Sequence, residues 1–163
     1  MSDNTVTTSP PARGASRSDI HIVNEYPHPQ EKVWRALTDP ALIPLWTKEG
    51  LGARPEGFSA VAGTKFKFVA KPQPWWRGVV ECEVMEVRAP LLLSYSWVGD
   101  EGEPPTLVTY RLAPIEGGTR FTFEHTGFRG IGGFMMSKVL SRVRKKMLGV
   151  GLPALLSKLD DQR

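Results

Sequence analysis

The sequence contains a single cysteine, Cys82, among 163 residues and therefore cannot form an internal disulfide. The apolar neighbours Val80 and Val84 indicate a small core residue and not a nucleophile. Long hydrophobic runs are also missing. No stretch approaches the ~18 apolar residues needed to cross a bilayer, and none near the start has the length of a signal-peptide core. These absences predict a cytoplasmic protein.

Acidic residues are absent from one long stretch, residues 129–158. This stretch holds seven of the 21 Lys and Arg residues, whereas all 17 Asp and Glu residues lie elsewhere. A net charge of +4 that arises from one segment is not typical of a nucleic-acid-binding protein. Part of this segment forms a basic helix face that could meet a protein partner, although a solvated surface is the simpler interpretation; its residues are Lys138, Arg142, Lys145 and Lys146.

Metal-binding and phosphate-binding motifs are lacking as well. Neither His21 nor His28 has the spacing to a third ligand that zinc requires, and there is no cysteine cluster, so neither a metal nor another cofactor is predicted. The glycine-rich segment 128–134, "FRGIGGF", lacks the strand and Lys-Ser/Thr context of a P-loop. We interpret it as a flexible start of the C-terminal helix and as a gate.

The chain divides into a tail and one domain. Residues 1–18 are rich in Ser, Thr, Pro and small residues, which predicts a disordered N-terminal tail. The remainder, residues 19–160, has the size and apolar content of one domain with a true core. Near its start, "HPQEKVWRALTDPALIPLW" predicts two short helices that begin at Pro29 and Pro40. In the second, Leu42, Leu45 and Trp46 share a predicted apolar face.

Alternating apolar and polar residues predict a first strand at 19–26 and a run of about five or six antiparallel strands after the helices. A long amphipathic C-terminal helix is predicted from about Ile131. Its expected apolar face comprises Phe134, Val139, Leu140, Val143, Met147, Val150, Leu155 and Leu159. The glycines Gly149 and Gly151, together with Pro153, predict a kink or weak turn within it. A sheet with one apolar face and one long apolar helix form two layers of an α+β domain.

Three segments of the sequence resemble blocks of the SRPBCC (START-like, helix-grip) superfamily. They are "PQEKVWRALTDPALIPLW", "VMEVRAPLLLSYSW" and "VTYRLAPIEGGTRFTFEHTGF". Within the superfamily they are most similar to the bacterial branch that resembles the activator of the heat-shock ATPase chaperone. The resemblance implies a helix-grip fold: a curved antiparallel sheet wrapped around a long C-terminal helix, with two short helices after the first strand and a deep apolar cavity.

Aromatic residues on the inward faces of the strands and helix are candidates for the wall of that cavity. They are Phe66, Phe68, Tyr95, Trp97, Tyr110, Phe121, Phe123 and Phe134. Ordinary core packing is the alternative for each residue alone, but the polar tips of Tyr and Trp need partners when buried, which favours a cavity lining.

His125 follows Phe121 and Phe123 in phase and is predicted to point inward. An imidazole there could orient a ligand carbonyl or hydroxyl, or transfer protons. A hydrogen bond to the backbone near the strand end is an equal alternative. No carboxylate shares its face, because Glu124 is out of phase, so no catalytic residue is assigned.

These observations favour a non-enzymatic protein that binds a hydrophobic or aromatic small molecule, such as a secondary metabolite, for transport, sequestration or resistance. A polyketide cyclase or dehydratase that uses His125 or a tyrosine is the enzymatic alternative. The resemblance to chaperone activators implies a third, a protein-interaction module that acts through the basic helix face. Fold alone does not decide among them.

Overall fold

A seven-stranded antiparallel sheet forms one layer of the domain in the computed structural model, which describes residues 18–48, 52–100 and 102–161. The strands are β1 (Ile20–Tyr26), β2 (Arg54–Glu56), β3 (Lys65–Val69), β4 (Val79–Arg88), β5 (Leu92–Val98), β6 (Thr106–Ile115) and β7 (Gly118–Thr126). Their order in the sheet is β1-β7-β6-β5-β4-β3-β2. The predicted tail lies outside the described residues except for Ser18, which is buried.

Alternation along the strands explains which face of the curled sheet is buried. In β3, Phe66 and Phe68 are buried while Lys65 and Lys67 are exposed, and β7 alternates over its whole length. Side chains two residues apart share a face of a strand, so each apolar alternate residue adds to one continuous inner surface. This inner surface faces the C-terminal helix.

The first helix, α1 (Gln30–Thr38), follows Pro29 as predicted, with Pro29 as its N-cap. The prediction that a second helix begins at Pro40 is wrong: α2 spans Ile43–Thr47, with Pro44 in its first turn. Asp39 explains the delay, because its carboxylate accepts a hydrogen bond from the Ala41 N–H (2.9 Å) and its carbonyl one from the Ile43 N–H (3.0 Å). These bonds hold a turn between the helices.

The shift in the start of α2 also changes its buried face. Trp46 is buried and its indole N–H donates to the Ala36 carbonyl (2.8 Å), which ties α2 to α1. Leu45, predicted on the same apolar face, is instead 47% exposed. Both short helices contact the C-terminal helical segment, and α1 also contacts β6 and β7, so they close one end of the two layers.

The C-terminal helical segment consists of α3 (Gly130–Lys146), a π-helical turn (Met147–Gly151) and α4 (Leu152–Asp161). The predicted interruption at the glycines thus takes the form of a π turn. None of the described helices is long and apolar enough to span a membrane.

The predicted apolar face of this segment is wrong in part. Phe134, Val139 and Val150 are 37%, 46% and 54% exposed. The side chains that are buried at intervals of four residues are Leu140, Arg144, Leu148, Leu152 and Leu156. Four residues of an α-helix turn the chain about 40° past a full circle, so such a series drifts off one face. A π turn contains more residues per turn than an α-helix, so each of its residues rotates the chain less. This smaller rotation returns Leu152 and Leu156 to the buried face.

The π turn leaves one backbone carbonyl, that of Leu148, without a partner inside the helix. The N–H of Leu152 donates to the Met147 carbonyl, and Pro153 has no N–H to donate. The buried Tyr26 hydroxyl of β1 donates to the Leu148 carbonyl at 2.7 Å and satisfies it. The Asn24 amide of the same strand donates to this carbonyl as well, at 3.4 Å, so two side chains of β1 hold the interrupted helix at a fixed position over the inner surface.

Candidate ligand-binding cavity

A cavity of about 300 Å³ lies between the inner face of the sheet and the C-terminal helical segment. Strands β3 to β7 supply its aromatic side, and α3 with the π turn supplies the opposite side through Leu140, Val143, Met147 and Leu148. Trp46 of α2 closes part of the wall. Its volume lies at the lower end of the range for small-molecule sites.

Most of the predicted aromatic residues on the strands meet in this wall. Phe68, Tyr95, Trp97, Tyr110 and Phe123 all line the cavity. Their rings support one another: the Tyr95 and Tyr110 centroids lie 5.7 Å apart in an edge-to-face contact, and Phe68 lies 6.1 Å from both Tyr95 and Trp97. Such contacts add to the energy of burial and hold each ring in position.

The other predicted site residues do not form part of the cavity surface. Phe66 and Phe121 are buried behind it: Phe66 packs edge-on against Tyr95 (5.4 Å), and Phe121 against Tyr110 (5.4 Å). Phe134 lies on α3 with the ammonium of Lys138 4.9 Å above its ring and is partly exposed. These rings support the wall or lie outside it.

Two tyrosine hydroxyls form a polar pair on the cavity wall. The oxygens of Tyr95 and Tyr110 lie 3.0 Å apart, so one hydroxyl donates to the other. Burial raises the pKa of both side chains, and they remain protonated at all ordinary pH values. Two neutral hydroxyls share one hydrogen bond, so the second proton is available to another acceptor.

Sequence reasoning missed Arg144, which is the charged group of the cavity. It belongs to the basic segment, yet only 4% of its surface is exposed, and its side chain lines the cavity. The guanidinium carbon lies 4.6 Å from the centroid of Trp97 and 4.8 Å from that of Phe123, positions that give cation–π attraction. Its spacing of four residues from Leu140 and Leu148 was the signal in the sequence that could have revealed it.

The guanidinium of Arg144 has no anionic partner in the part of the chain that the structure describes. Its Nη1 atom is buried without any hydrogen-bond acceptor, and no ion pair among the described residues includes it. Burial lowers the pKa of Arg144 from its usual value. An arginine nevertheless stays charged, so the cavity wall carries one uncompensated positive charge.

His125 lies behind Trp97 and Phe128 rather than on the cavity surface. It is fully buried, and its Nε2 atom lies 2.7 Å from the Thr106 hydroxyl oxygen. Because that hydroxyl donates to the Trp97 carbonyl (3.1 Å), the imidazole Nε2–H donates to the threonine, and Nδ1 is left without a partner. Among the described residues, no three His, Cys, Asp or Glu side chains are arranged to hold a metal ion.

Burial, and to a lesser extent the positive charge of Arg144, lowers the pKa of His125 well below its usual value. The folded protein therefore binds this proton less readily than the unfolded chain, whose imidazole has a pKa of about 6.5. We expect full stability above about pH 6.5 and a loss of at most about 1.4 kcal/mol per pH unit below it. Chemical denaturation between about pH 5 and about pH 8 measures this loss.

The variant His125→Gln removes the titrating group, so its stability is expected to fall less steeply on acidification than that of the wild type. His21→Gln, at an exposed histidine of β1, is the matched control and should follow the wild-type profile. Parallel profiles for the wild type and His125→Gln would show that the buried imidazole does not cause the pH dependence.

The exposed residues of the wall mark where the cavity opens. They include Trp75 of the β3–β4 loop, Asp100 and Glu103 of the β5–β6 loop, and Arg129 and Gly132 at the start of α3. The rim thus carries charges of both signs in contact with solvent, where water and salt screen them. The interior carries only the charge of Arg144. The segment predicted as a gate forms one side of this opening.

The curled sheet around a long C-terminal helical segment, with a cavity between them, defines a helix-grip protein of the SRPBCC superfamily. Within it, the chain belongs to the family described as activator of Hsp90 ATPase homolog 1-like protein, whose family model matches residues 27–147. The predicted superfamily and fold class are both confirmed. No curated protein matches the sequence.

Solved structures are similar to this chain over most of its length. Protein MLL2253 from Mesorhizobium loti is 29% identical, with a TM-score of 0.73, over 86% of this chain and 97% of that one. CalU16 from Micromonospora echinospora is 22% identical, with a TM-score of 0.62, over 88% and 82%. DynU16, from the dynemicin biosynthetic locus, is 18% identical, with a TM-score of 0.68, over 86% and 47%. The last two share the fold.

Proposed function

We propose that this protein binds a hydrophobic, aromatic small molecule in the cavity between the sheet and the C-terminal helical segment, and that it does so in the cytoplasm without chemical turnover. The observation that carries the proposal is an open cavity whose wall is built from five rings held by one another: Phe68, Tyr95, Trp97, Tyr110 and Phe123. A fully packed core would fill this space, because voids in protein interiors are costly.

The polar groups of the cavity suit binding better than catalysis. The tyrosine pair is neutral, Arg144 stays charged, and the imidazole of His125 lies off the cavity surface. Acid–base catalysis needs a group that can both gain and lose a proton within reach of the ligand. The alternative of a cyclase or dehydratase gains no support from these positions.

The structural similarity to DynU16 supports a finer proposal, that the ligand is a secondary metabolite which the protein carries or sequesters. The residues of the basic face are all exposed on the outer side of α3: Lys138, Arg142, Lys145 and Lys146. Charged residues on the outer face of an amphipathic helix are usually solvated. A protein-interaction role through this face therefore remains the lesser proposal.

Binding is tested by titrating naphthalene-2-carboxamide, a flat neutral probe, into the full chain labelled with 15N. Trp46, Trp75, Trp76 and Trp97 line the cavity, whereas the half-buried Trp34 does not. We expect the indole N–H signals of the four lining tryptophans to shift together while that of Trp34 stays in place. Shifts confined to Trp34 and the outer strand faces would rule out the cavity as the site.

A matched pair of variants on the same helical segment separates the cavity from the surface. Val143 lines the cavity and Val150 does not; Val150 is 54% exposed. Val143→Phe is expected to fill part of the cavity and lower the affinity for the probe by about tenfold or more. Val150→Phe should leave this affinity unchanged. Equal affinities for the two variants would contradict the proposal.

A further inference from the structure

We propose that the ligand carries a single anionic group, of the carboxylate type, which pairs with Arg144 inside the cavity. This inference rests on the proposed function and adds the chemical class of the ligand. It starts from geometry: the side chain of Arg144, of which only 4% is exposed, lines the cavity, and its Nη1 atom has no acceptor among the described residues.

The surroundings of Arg144 orient its charge without neutralising it. Trp97 and Phe123 offer ring faces at 4.6 Å and 4.8 Å, so the flat guanidinium is held against them. Aromatic faces attract a cation, but they accept no hydrogen bond from its edge. The planar N–H groups along that edge match the two oxygens of a carboxylate, which they bind in a bidentate manner.

The choice of residue type supports a role for a permanent charge. A lysine buried at this place could avoid the cost of a desolvated charge by losing its proton, whereas an arginine keeps its charge. An unpaired cation in a protein interior is unfavourable unless a counter-ion arrives. The ligand is the counter-ion that the cavity can admit, because Asp100 and Glu103 are exposed at the rim and neither forms an ion pair with Arg144.

The tyrosine pair adds a second donor for the same group. Tyr95 and Tyr110 share one hydrogen bond, and among the described residues no acceptor receives the remaining hydroxyl proton. The positive charge of Arg144 acts on both hydroxyls, so all three side chains belong to one electrostatic cluster. An anionic oxygen in this cluster would accept from the guanidinium and from a hydroxyl together.

A pair of probes with the same shape tests this inference. Naphthalene-2-carboxylate and naphthalene-2-carboxamide differ in charge and are compared by calorimetry with the full chain. We expect the carboxylate to bind the wild type about tenfold or more tightly than the amide. This preference should survive at high salt, because screening weakens surface charges far more than buried ones.

Substitutions then assign the preference to one side chain. Arg144→Met is expected to abolish the preference for the carboxylate while the amide still binds, and Arg144→Lys to retain part of it. Arg142→Met, at an exposed arginine two positions earlier, is the control and should leave the ratio of affinities unchanged. An equal loss of the preference in Arg142→Met would indicate a general surface field and overturn the inference.

The outcomes distinguish the two proposals. Binding of the amide, with shifts of the lining indoles and no preference for the carboxylate in the wild type, would overturn this inference and leave the proposed function in place. Absence of binding by either probe would overturn both. The comparison in the wild type needs no variant, so it decides the matter even where Arg144→Met fails to fold.

Discussion

Replacement of Phe121 by alanine is expected to lower the free energy of unfolding by about 3–5 kcal/mol. The side chain is fully buried on β7, and its ring contacts those of Tyr26 (6.4 Å between centroids) and Tyr110 (5.4 Å). It does not border the cavity, so its neighbours on every side lose contacts when it is removed. Chemical denaturation of the purified variant measures the loss.

Phe123, two residues along the same strand, provides the matched comparison. It is 2% exposed but lines the cavity, so part of its surface already faces empty space. We expect Phe123→Ala to lower the free energy of unfolding less than Phe121→Ala does, by about 1 kcal/mol or more. The side of the Phe123 ring that faces the cavity has few contacts to lose. Equal losses at the two positions would mean that the space beside Phe123 is packed in solution.

The variant Arg144→Met is expected to be more stable than the wild type by about 1–4 kcal/mol when no ligand is bound. Methionine fills a similar elongated space without a charge, so the cost of desolvating the guanidinium disappears. The cation–π contacts to Trp97 and Phe123 are lost as well, which offsets part of the recovered desolvation energy by about 0.5–2 kcal/mol for each ring. The gain in stability would accompany the loss of anion binding, as is common at functional sites.

Thermal and chemical denaturation of the ligand-free variant check this expectation. Arg142→Met serves as the control and should change the stability by no more than about 0.5 kcal/mol, because its side chain is exposed. A large destabilisation by Arg144→Met would instead show that the guanidinium contributes to folding through its ring contacts, and would contradict the expectation that its unpaired charge is unfavourable.

The sheet and its inner face could be predicted because strands such as β3 and β7 show their environment in the alternation of their residues. Phe66 and Phe68 alternate with lysines in β3, and Phe121, Phe123 and His125 alternate with polar residues in β7. Side chains alternate between the two faces of a strand even in a curled sheet, so the local sequence is enough to predict which residues face inward. Phe123 borders the cavity and Phe121 does not. This difference depends on distant segments of the chain, so the alternation of residues within β7 does not predict it.

The helical residues were harder to place, for two physical reasons. The buried set depends on the rotation between α3 and α4, and the π turn alters that rotation by a hydrogen-bond shift that hydrophobicity does not record. Arg144 was hidden by its type, because arginines are mostly exposed and three other basic residues surround it in sequence: Arg142, Lys145 and Lys146. The spacing of four residues from Leu140 and Leu148 hinted at its burial, and the contacts of its guanidinium with Trp97 and Phe123 establish it.

The π turn also bears on how this helix can be compared with those of its relatives. A π turn is what an α-helix forms when it absorbs one additional residue while the helices on both sides keep their directions. A relative that lacks one residue between 147 and 151 would therefore form an unbroken helix and still direct the counterpart of Arg144 into the cavity. The family model matches up to Met147, the first residue of the turn. An alignment with a relative whose helix is unbroken consequently needs a one-residue gap at the turn, because without it every cavity-facing position on one side would be compared with its neighbour.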